Sequence, residues 1–222
     1  NIDERLIEGS AYPYKYVPRL KKDDIAIYHL STGDKMSYEF ANYPCKKIVI
    51  YHNITQREYF FGYNIDAYRA SSEGYKQASF LHNKVDYCLA DSQYNKDDLI
   101  RMNYTCPIDV LPILIPFHDY NRRGSRNILC KYKDDYTNII FTGRIVPNKK
   151  QENLIQVFYY YKKYINPKSR LFIIGSFGGM EKYYFELKQY VKTLGLTDVY
   201  FTGHIKFDQI IAYYKIADIF LC

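Results

Sequence analysis

Tryptophan is absent from this 222-residue chain, while tyrosine occurs 27 times. Many tyrosines fall in stretches such as Phe158-Tyr159-Tyr160-Tyr161. They read as amphipathic residues at the edge of a core, or as the mark of a biased genome composition. The five cysteines (Cys45, Cys88, Cys106, Cys130 and Cys222) form no CxxC pair and keep no regular spacing. That leaves structural zinc and redox-dithiol motifs without support. A scattered odd set of this kind suits reduced thiols in a cytosolic protein. No apolar run is long enough to span a bilayer, and no secretory leader is visible. GxGxxG is missing, which weakens a dinucleotide oxidoreductase. GxxxxGK[ST] is also missing, which argues against a P-loop enzyme. No Ser-His-Asp set, Cys-His set or metal-ligand cluster stands out from spacing.

The length accommodates one large or two small domains with a sizeable core. Net charge is +7, from 31 basic against 24 acidic residues spread along the chain. An excess of this sign suits polyanions, an acidic membrane surface or a phosphorylated small substrate. It does not choose among them. Without a clustered basic stripe or a recognition motif, a nucleic-acid partner is not expected. The chain starts at Asn1 without Met and stops at Cys222 inside an apolar run, so both ends are expected to be cut from a longer protein.

Hydropathy patterning predicts alternating strands and helices. Residues 1–24 receive no element. Ile25–Leu30 reads as a strand, and KIVIY (47–51) as a buried parallel strand. A helix follows over Ile65–Lys84, then a strand at Val85–Ala90. Asp91-Ser92 caps a helix running to about Met102. Ile108–Ile115 carries three prolines nearby and is expected to be an extended edge strand passing into a linker. A domain boundary is placed near residue 118, giving a first domain of 1–118 and a second of 119–222. The second half continues with a strand at Asn138–Thr142, a helix at Gln151–Ile165 and a strand at Arg170–Gly175. A helix at Met180–Leu194 closed by Gly195, a strand at Val199–Thr202, a helix at Phe207–Ala217 and a strand from Asp218 complete it. The fold class is therefore α/β, with a parallel sheet covered on both faces in the second half.

In such sheets, ligands bind beyond the carboxyl ends of the strands. The residues found there are His52, Asp91-Ser92, Gly143-Arg144, Gly175-Ser176 and Gly203-His204. Gly143-Arg144 followed by Lys149-Lys150 and a helix start is a recipe for holding a phosphate. Glycine lets backbone approach the anion, the helix N-terminus offers free N–H groups, and the cations neutralise the remainder. The same residues fit an ordinary βα turn with solvated Arg and Lys. His52 and His204 each fit a structural imidazole as well as a functional one. Asp91-Ser92 fits a helix cap.

Taken together, IIFTGRIVPNKKQENLI (139–155), RLFIIGS (170–176), LGLTDVYFTGH (194–204) and IIAYYKIADIFLC (210–222) resemble the group 1 glycosyltransferases (glycosyltransferase family 4). IYHLSTG (27–33), KKIVIYHNIT (46–55), VDYCLADS (85–92) and IDVLPILIP (108–116) resemble the same family's N-terminal domain. The resemblance implies the GT-B arrangement, two Rossmann-like domains facing a cleft, both incomplete in this chain. It implies a retaining, metal-independent hexosyltransferase that needs no cofactor. A sugar would pass from a nucleotide-sugar donor to a saccharide or lipid-linked acceptor in cell-surface polysaccharide or glycan synthesis. The setting implied is cytoplasmic, with room for peripheral contact at the inner face of a membrane. Residue by residue, Gly143, Arg144 and Lys149 or Lys150 take the donor diphosphate, with Lys150 standing where many members have a small residue. Gly203 and His204 fall near the nucleobase, and His52 is the catalytic-side histidine beside the donor sugar. The family's glutamate pair would lie past Cys222, so the 222-residue stretch alone is expected to be inactive. A GT-B sugar-nucleotide epimerase, and a non-catalytic nucleotide- or carbohydrate-binding member, are the alternative readings.

Overall fold

The structure, a computed structural model, describes residues 11–12, 16–17 and 19–222. Most of the stretch 1–18 lies outside the described residues. Two compact units emerge. One holds the described residues up to Gln56 together with Arg69–Ile113, and the other holds Arg57–Tyr68 with Leu114–Cys222.

The first unit is built on four parallel strands, β1 (Ile25–Leu30), β2 (Lys46–Tyr51), β3 (Tyr87–Ala90) and β4 (Ile108–Val110), ordered as in the chain. Helices α1 (Met36–Ala41), α2 (Ile65–Leu81) and α3 (Gln93–Arg101) make the crossovers. Strands added always in the same direction, each by a right-handed crossover, put their helices on one face. The core agrees. Leu30, Val49, Tyr51, Cys88 and Ala90 from the strands pack with Phe40, Ala78, Leu81 and Leu99 from the three helices. The alternate strand positions form the opposite face, where Ile25 is 60% and Ile27 57% exposed. Ile48, Ile50 and Leu89 lie on that face too, half-buried.

The second unit holds β5 (Thr137–Thr142), β6 (Ser169–Ile174), β7 (Val199–Gly203) and β8 (Ile219–Phe220), all parallel, in the order β7-β6-β5-β8. The order reverses at β5, so the crossovers fall on both faces. On one, α5 (Gln151–Tyr164) and α6 (Glu181–Thr193) bury Leu154, Ile155, Phe158, Tyr183 and Leu187 against Ile139, Phe141, Leu171 and Ile173. On the other, α7 (Phe207–Ile216) places Tyr213 with Tyr132 against Ile140, Phe172 and Ile174. Every residue of β6 is buried, as a central strand covered on both faces requires. Gly195 ends α6 at φ +67, with its N–H bonded to the Lys192 carbonyl and the Leu196 N–H to the Val191 carbonyl. That is the paired left-handed stop expected of a glycine at this place.

Several sequence expectations needed trimming. The extended run at 108–115 is a strand only to Val110, because Pro112 offers no N–H to continue a ladder. The helix expected to reach Lys84 stops at Leu81, and β3 begins at Tyr87 rather than Val85. Helix α1 and a short helix α4 (Arg126–Lys131) were not anticipated. Each is six residues long, too short to show a helical period.

Candidate functional site

The reversal between β6-β5 and β5-β8 is the topological switch point of the second unit, the position where open α/β sheets hold ligands beyond their strand ends. The Gly143-Arg144 loop leaves β5 there. Its shape is set by the neighbouring loop. The Gly143 N–H donates to the Ile174 carbonyl and the Ile145 N–H to the Ser176 carbonyl, both at 2.9 Å. A Cβ on Gly175 would sit 1.9 Å from the Gly143 oxygen, and Gly175 also bridges Gly203. The three glycine turns expected from sequence are therefore brought together, and at Gly175 glycine is required both by packing between two loops and by its φ of +155. Thr142, at the end of β5, buries its hydroxyl oxygen with no hydrogen-bond partner among the described residues.

Arg144 is exposed, and its guanidinium makes one long hydrogen bond, 3.4 Å to the Gly178 carbonyl. Its carbonyl accepts from the Gln151 side chain at 2.9 Å, which ties the loop to the start of α5. The two lysines differ. Lys150 adopts the left-handed conformation at φ 52, ψ 45, with its ammonium 3.7 Å from Glu152 and over the Tyr59 ring. Lys149 ends a 3-10 turn over Pro147–Lys149, is exposed, and makes no ion pair among the described residues. The first N–H of α5 is already engaged. The Tyr183 hydroxyl accepts from the Gln151 N–H at 3.2 Å and donates to the Glu152 carboxylate. Burial and then the Glu152 bond push the Tyr183 phenol far above its ordinary value, so it stays protonated and keeps that role. The α5 terminus thus carries a neutral hydroxyl and a carboxylate of its own. The positive charge of the loop without an ion-pair partner among the described residues sits on Arg144 and Lys149. His204 follows Gly203 at the end of β7 and is exposed.

Sequence reasoning missed the segment at 57–64, which belongs to this unit. Asn64 donates to the Gly179 carbonyl at 2.8 Å, and the Tyr63 hydroxyl donates to Glu186 at 2.9 Å. Lys182 donates to the Gly62 carbonyl at 3.1 Å. No local motif announces these contacts, because they span more than a hundred residues.

In the first unit, His52 follows β2 and Asp91 follows β3. Asp91 and Ser92 part company here. Ser92 caps α3, accepting from the Asn95 N–H at 3.2 Å. Asp91, 13% exposed, instead accepts from Nδ1 of His52 at 2.8 Å. Nε2 of His52 lies 2.7 Å from Nδ1 of His29, so both nitrogens of His52 are engaged. His29 was not anticipated, since it lies within β1 and not after it. The signal was present as a near-repeat, Ile25-Ala26-Ile27-Tyr28-His29 and Ile48-Val49-Ile50-Tyr51-His52, displaced by two residues in the pairing of Ile27 with Ile48. A displacement of two keeps both histidines on the same face. Among the described residues, no group of three or more His, Cys, Asp or Glu side chains is arranged to hold a metal ion, and no helix is long and apolar enough to cross a membrane.

Two Rossmann-like units of this topology define a fold of the GT-B type. More particularly, residues 126–222 match the family model for glycosyl transferases group 1. Solved structures extend the likeness over most of the chain. The Burkholderia multivorans α,α-trehalose 6-phosphate synthase is similar at 10% identity over 90% of this chain and 50% of its own, with a TM-score of 0.67. Anabaena HepE in complex with UDP-glucose is similar at 17% identity over 83% and 48%, TM-score 0.65. The sucrose-phosphate synthase of Thermosynechococcus elongatus is similar at 14% identity over 81% and 44%, TM-score 0.63. At such identities the likeness is one of fold, and this chain spans about half the length of those proteins. Comparison with curated protein sequences gives no match.

Proposed function

We propose that the chain carries the donor-binding part of a glycosyltransferase that moves a sugar, with retention and without a metal, from a nucleotide-sugar to a saccharide or lipid-linked acceptor. The observation that carries this reading is the pair of exposed cations, Arg144 and Lys149, that make no ion pair among the described residues, in the loop that leaves β5 at the switch point. An exposed guanidinium beside a glycine turn suits bidentate pairing with a diphosphate. Lys149 supplies the second charge, while Lys150 is turned to Glu152. Charge developing on a departing diphosphate would be met by these groups. Gly203 and His204 then fall to the nucleobase. The family model on 126–222 and the UDP-glucose complex of HepE support a nucleoside diphosphate sugar as the ligand class.

Calorimetric titration of UDP into the protein tests the reading. Arg144→Ala is expected to weaken UDP by about 1.5–3 kcal/mol, the worth of hydrogen bonds to a charged group. Lys149→Ala should follow the same direction, whereas Lys150→Ala should change little. UDP that binds the Arg144 variant as well as the wild type would remove this loop from the site.

A further inference from the structure

Asp91, His52 and His29 form one hydrogen-bonded line across the carboxyl ends of β3, β2 and β1. The imidazole rings of His29 and His52 are 7° from parallel, with centroids 5.0 Å apart. Faces laid one on another could not bring Nδ1 within 2.7 Å of Nε2, because stacked planes stand further apart than that. The rings must lie edge to edge in nearly one plane. The centroid separation agrees, being the N···N contact plus a ring radius at each end. In-plane contact is the geometry a nitrogen lone pair requires.

The order of donors follows from Asp91. An ionised carboxylate only accepts, so Nδ1 of His52 must carry the proton. In a neutral His52, Nε2 is then an acceptor, and Nδ1 of His29 must be the donor. Nε2 of His29 is left as the one acceptor nitrogen of the trio that no group in the line occupies, on a side chain that is exposed. Uptake of one proton rearranges the line. The proton enters at Nε2 of His29, the Nδ1 proton of His29 passes to Nε2 of His52, and His52 becomes the imidazolium paired with Asp91 at 2.8 Å. His29 ends neutral, with its outward nitrogen changed from acceptor to donor.

We infer that this line is a proton relay whose ligand-facing atom is Nε2 of His29, and that His52 is a positioning residue holding charge beside Asp91. The ligand it would take is a hydroxyl-bearing one. On the sugar-transfer reading of the previous subsection, on which this identification rests, that means a saccharide hydroxyl.

Tautomers test the relay without any ligand. Long-range nitrogen–proton NMR of the neutral protein is expected to show the proton on Nδ1 of both His29 and His52. Free histidine in water favours Nε2–H, so two adjacent exceptions are a distinctive signature, set by the hydrogen bonds each ring makes. Asp91→Ala should return His52 to Nε2–H, which then donates to Nδ1 of His29 and converts His29 as well. A change passed from Asp91 to a residue it does not touch is more than local support. Should that variant not fold, His52→Phe keeps a ring without nitrogens and should likewise release His29 to Nε2–H. His29 found as Nε2–H in the wild type, or unmoved in both variants, would overturn the relay. UDP-glucose that binds by calorimetry should shift the Nε2 resonance of His29, and binding without a shift would overturn its ligand-facing role. The expected tautomers together with no UDP-glucose binding would uphold the relay and sink the sugar-transfer reading.

Discussion

The contact between the Gly143 and Gly175 turns can be tested by adding one methyl group. In Gly175→Ala, the new Cβ would lie 1.9 Å from the Gly143 oxygen, 2.7 Å from its carbonyl carbon and 3.3 Å from the Arg144 nitrogen. Real Cβ atoms stay beyond 3.0 Å, so the turns must part by about 1.1 Å, the difference between 3.0 and 1.9. All three neighbours are backbone, so no side chain can swing aside. Movement on that scale strains the two 2.9 Å hydrogen bonds that join the loops. Each contributes about 0.5–1.5 kcal/mol net, and forcing a group into packed space costs about 1–3 kcal/mol. The expected loss is about 2–6 kcal/mol. Two other glycines calibrate it. Gly178 has nothing within 4 Å of a built Cβ, so Gly178→Ala should stay within about 0.5 kcal/mol of wild type. Gly195 is equally open but sits at φ +67, so Gly195→Ala should lose about 1–2 kcal/mol from backbone strain alone. Urea unfolding followed by far-ultraviolet circular dichroism ranks the three, and hydrogen exchange at the β5 and β6 amides localises the change. Gly175→Ala unfolding at the same urea concentration as Gly178→Ala would refute the close approach.

Lys150→Gly should stabilise the protein by about 0.5–1 kcal/mol, because relief of a left-handed L-residue exceeds the entropy added to the unfolded chain, and the exposed pair with Glu152 contributes little. A lower midpoint in urea would contradict it. Arg170, buried at the start of β6, donates to the Asn138 side chain and to Asp134, so Arg170→Met should lose about 1–3 kcal/mol by leaving the buried Asn138 oxygen unpaired. The hydrogen bond from Arg170 also holds the Asp134 carboxyl below its ordinary value. That contribution is present above about pH 3.9 and fades as pH falls through the lower folded value, so the gap between wild type and variant should narrow in acid unfolding below that pH.

The second unit was the more legible half of the fold. Its strands carry short apolar runs, such as Ile139–Phe141 and Leu171–Ile174, and its helices carry a clear period, as in Leu154, Phe158 and Tyr161 of α5. The first unit hides more. Helix α1 lasts six residues, and the loop before it is held by long-range contacts, such as the Asp34 N–H to the Gln77 side chain at 2.8 Å. Nothing local to residues 33–41 reports a partner on α2. The same reason conceals the segment at 57–64, whose bonds to Gly179 and Glu186 belong to tertiary packing.

At the candidate site, residue types were legible and their division of labour was not. Lys149 and Lys150 are the same side chain in sequence, and only the backbone separates them. A left-handed residue turns its side chain away from the course its neighbour follows, and here that aims Lys150 at Glu152 and leaves Lys149 without an ion pair among the described residues. The histidines show the complementary case. Looking only past the end of each strand finds His52 and overlooks His29, one residue before β1 ends. Pairing two strands before searching them would have found both. With Ile27 beside Ile48, the period of two puts His29 beside Ile50 and one step short of His52 on the same face. Asp91 then falls on that face two residues beyond Leu89, the partner of Ile50. The ionisable residues of this unit are thus placed by strand register. A one-residue slip of β1 would carry His29 to the covered face and leave His52 with Asp91 alone.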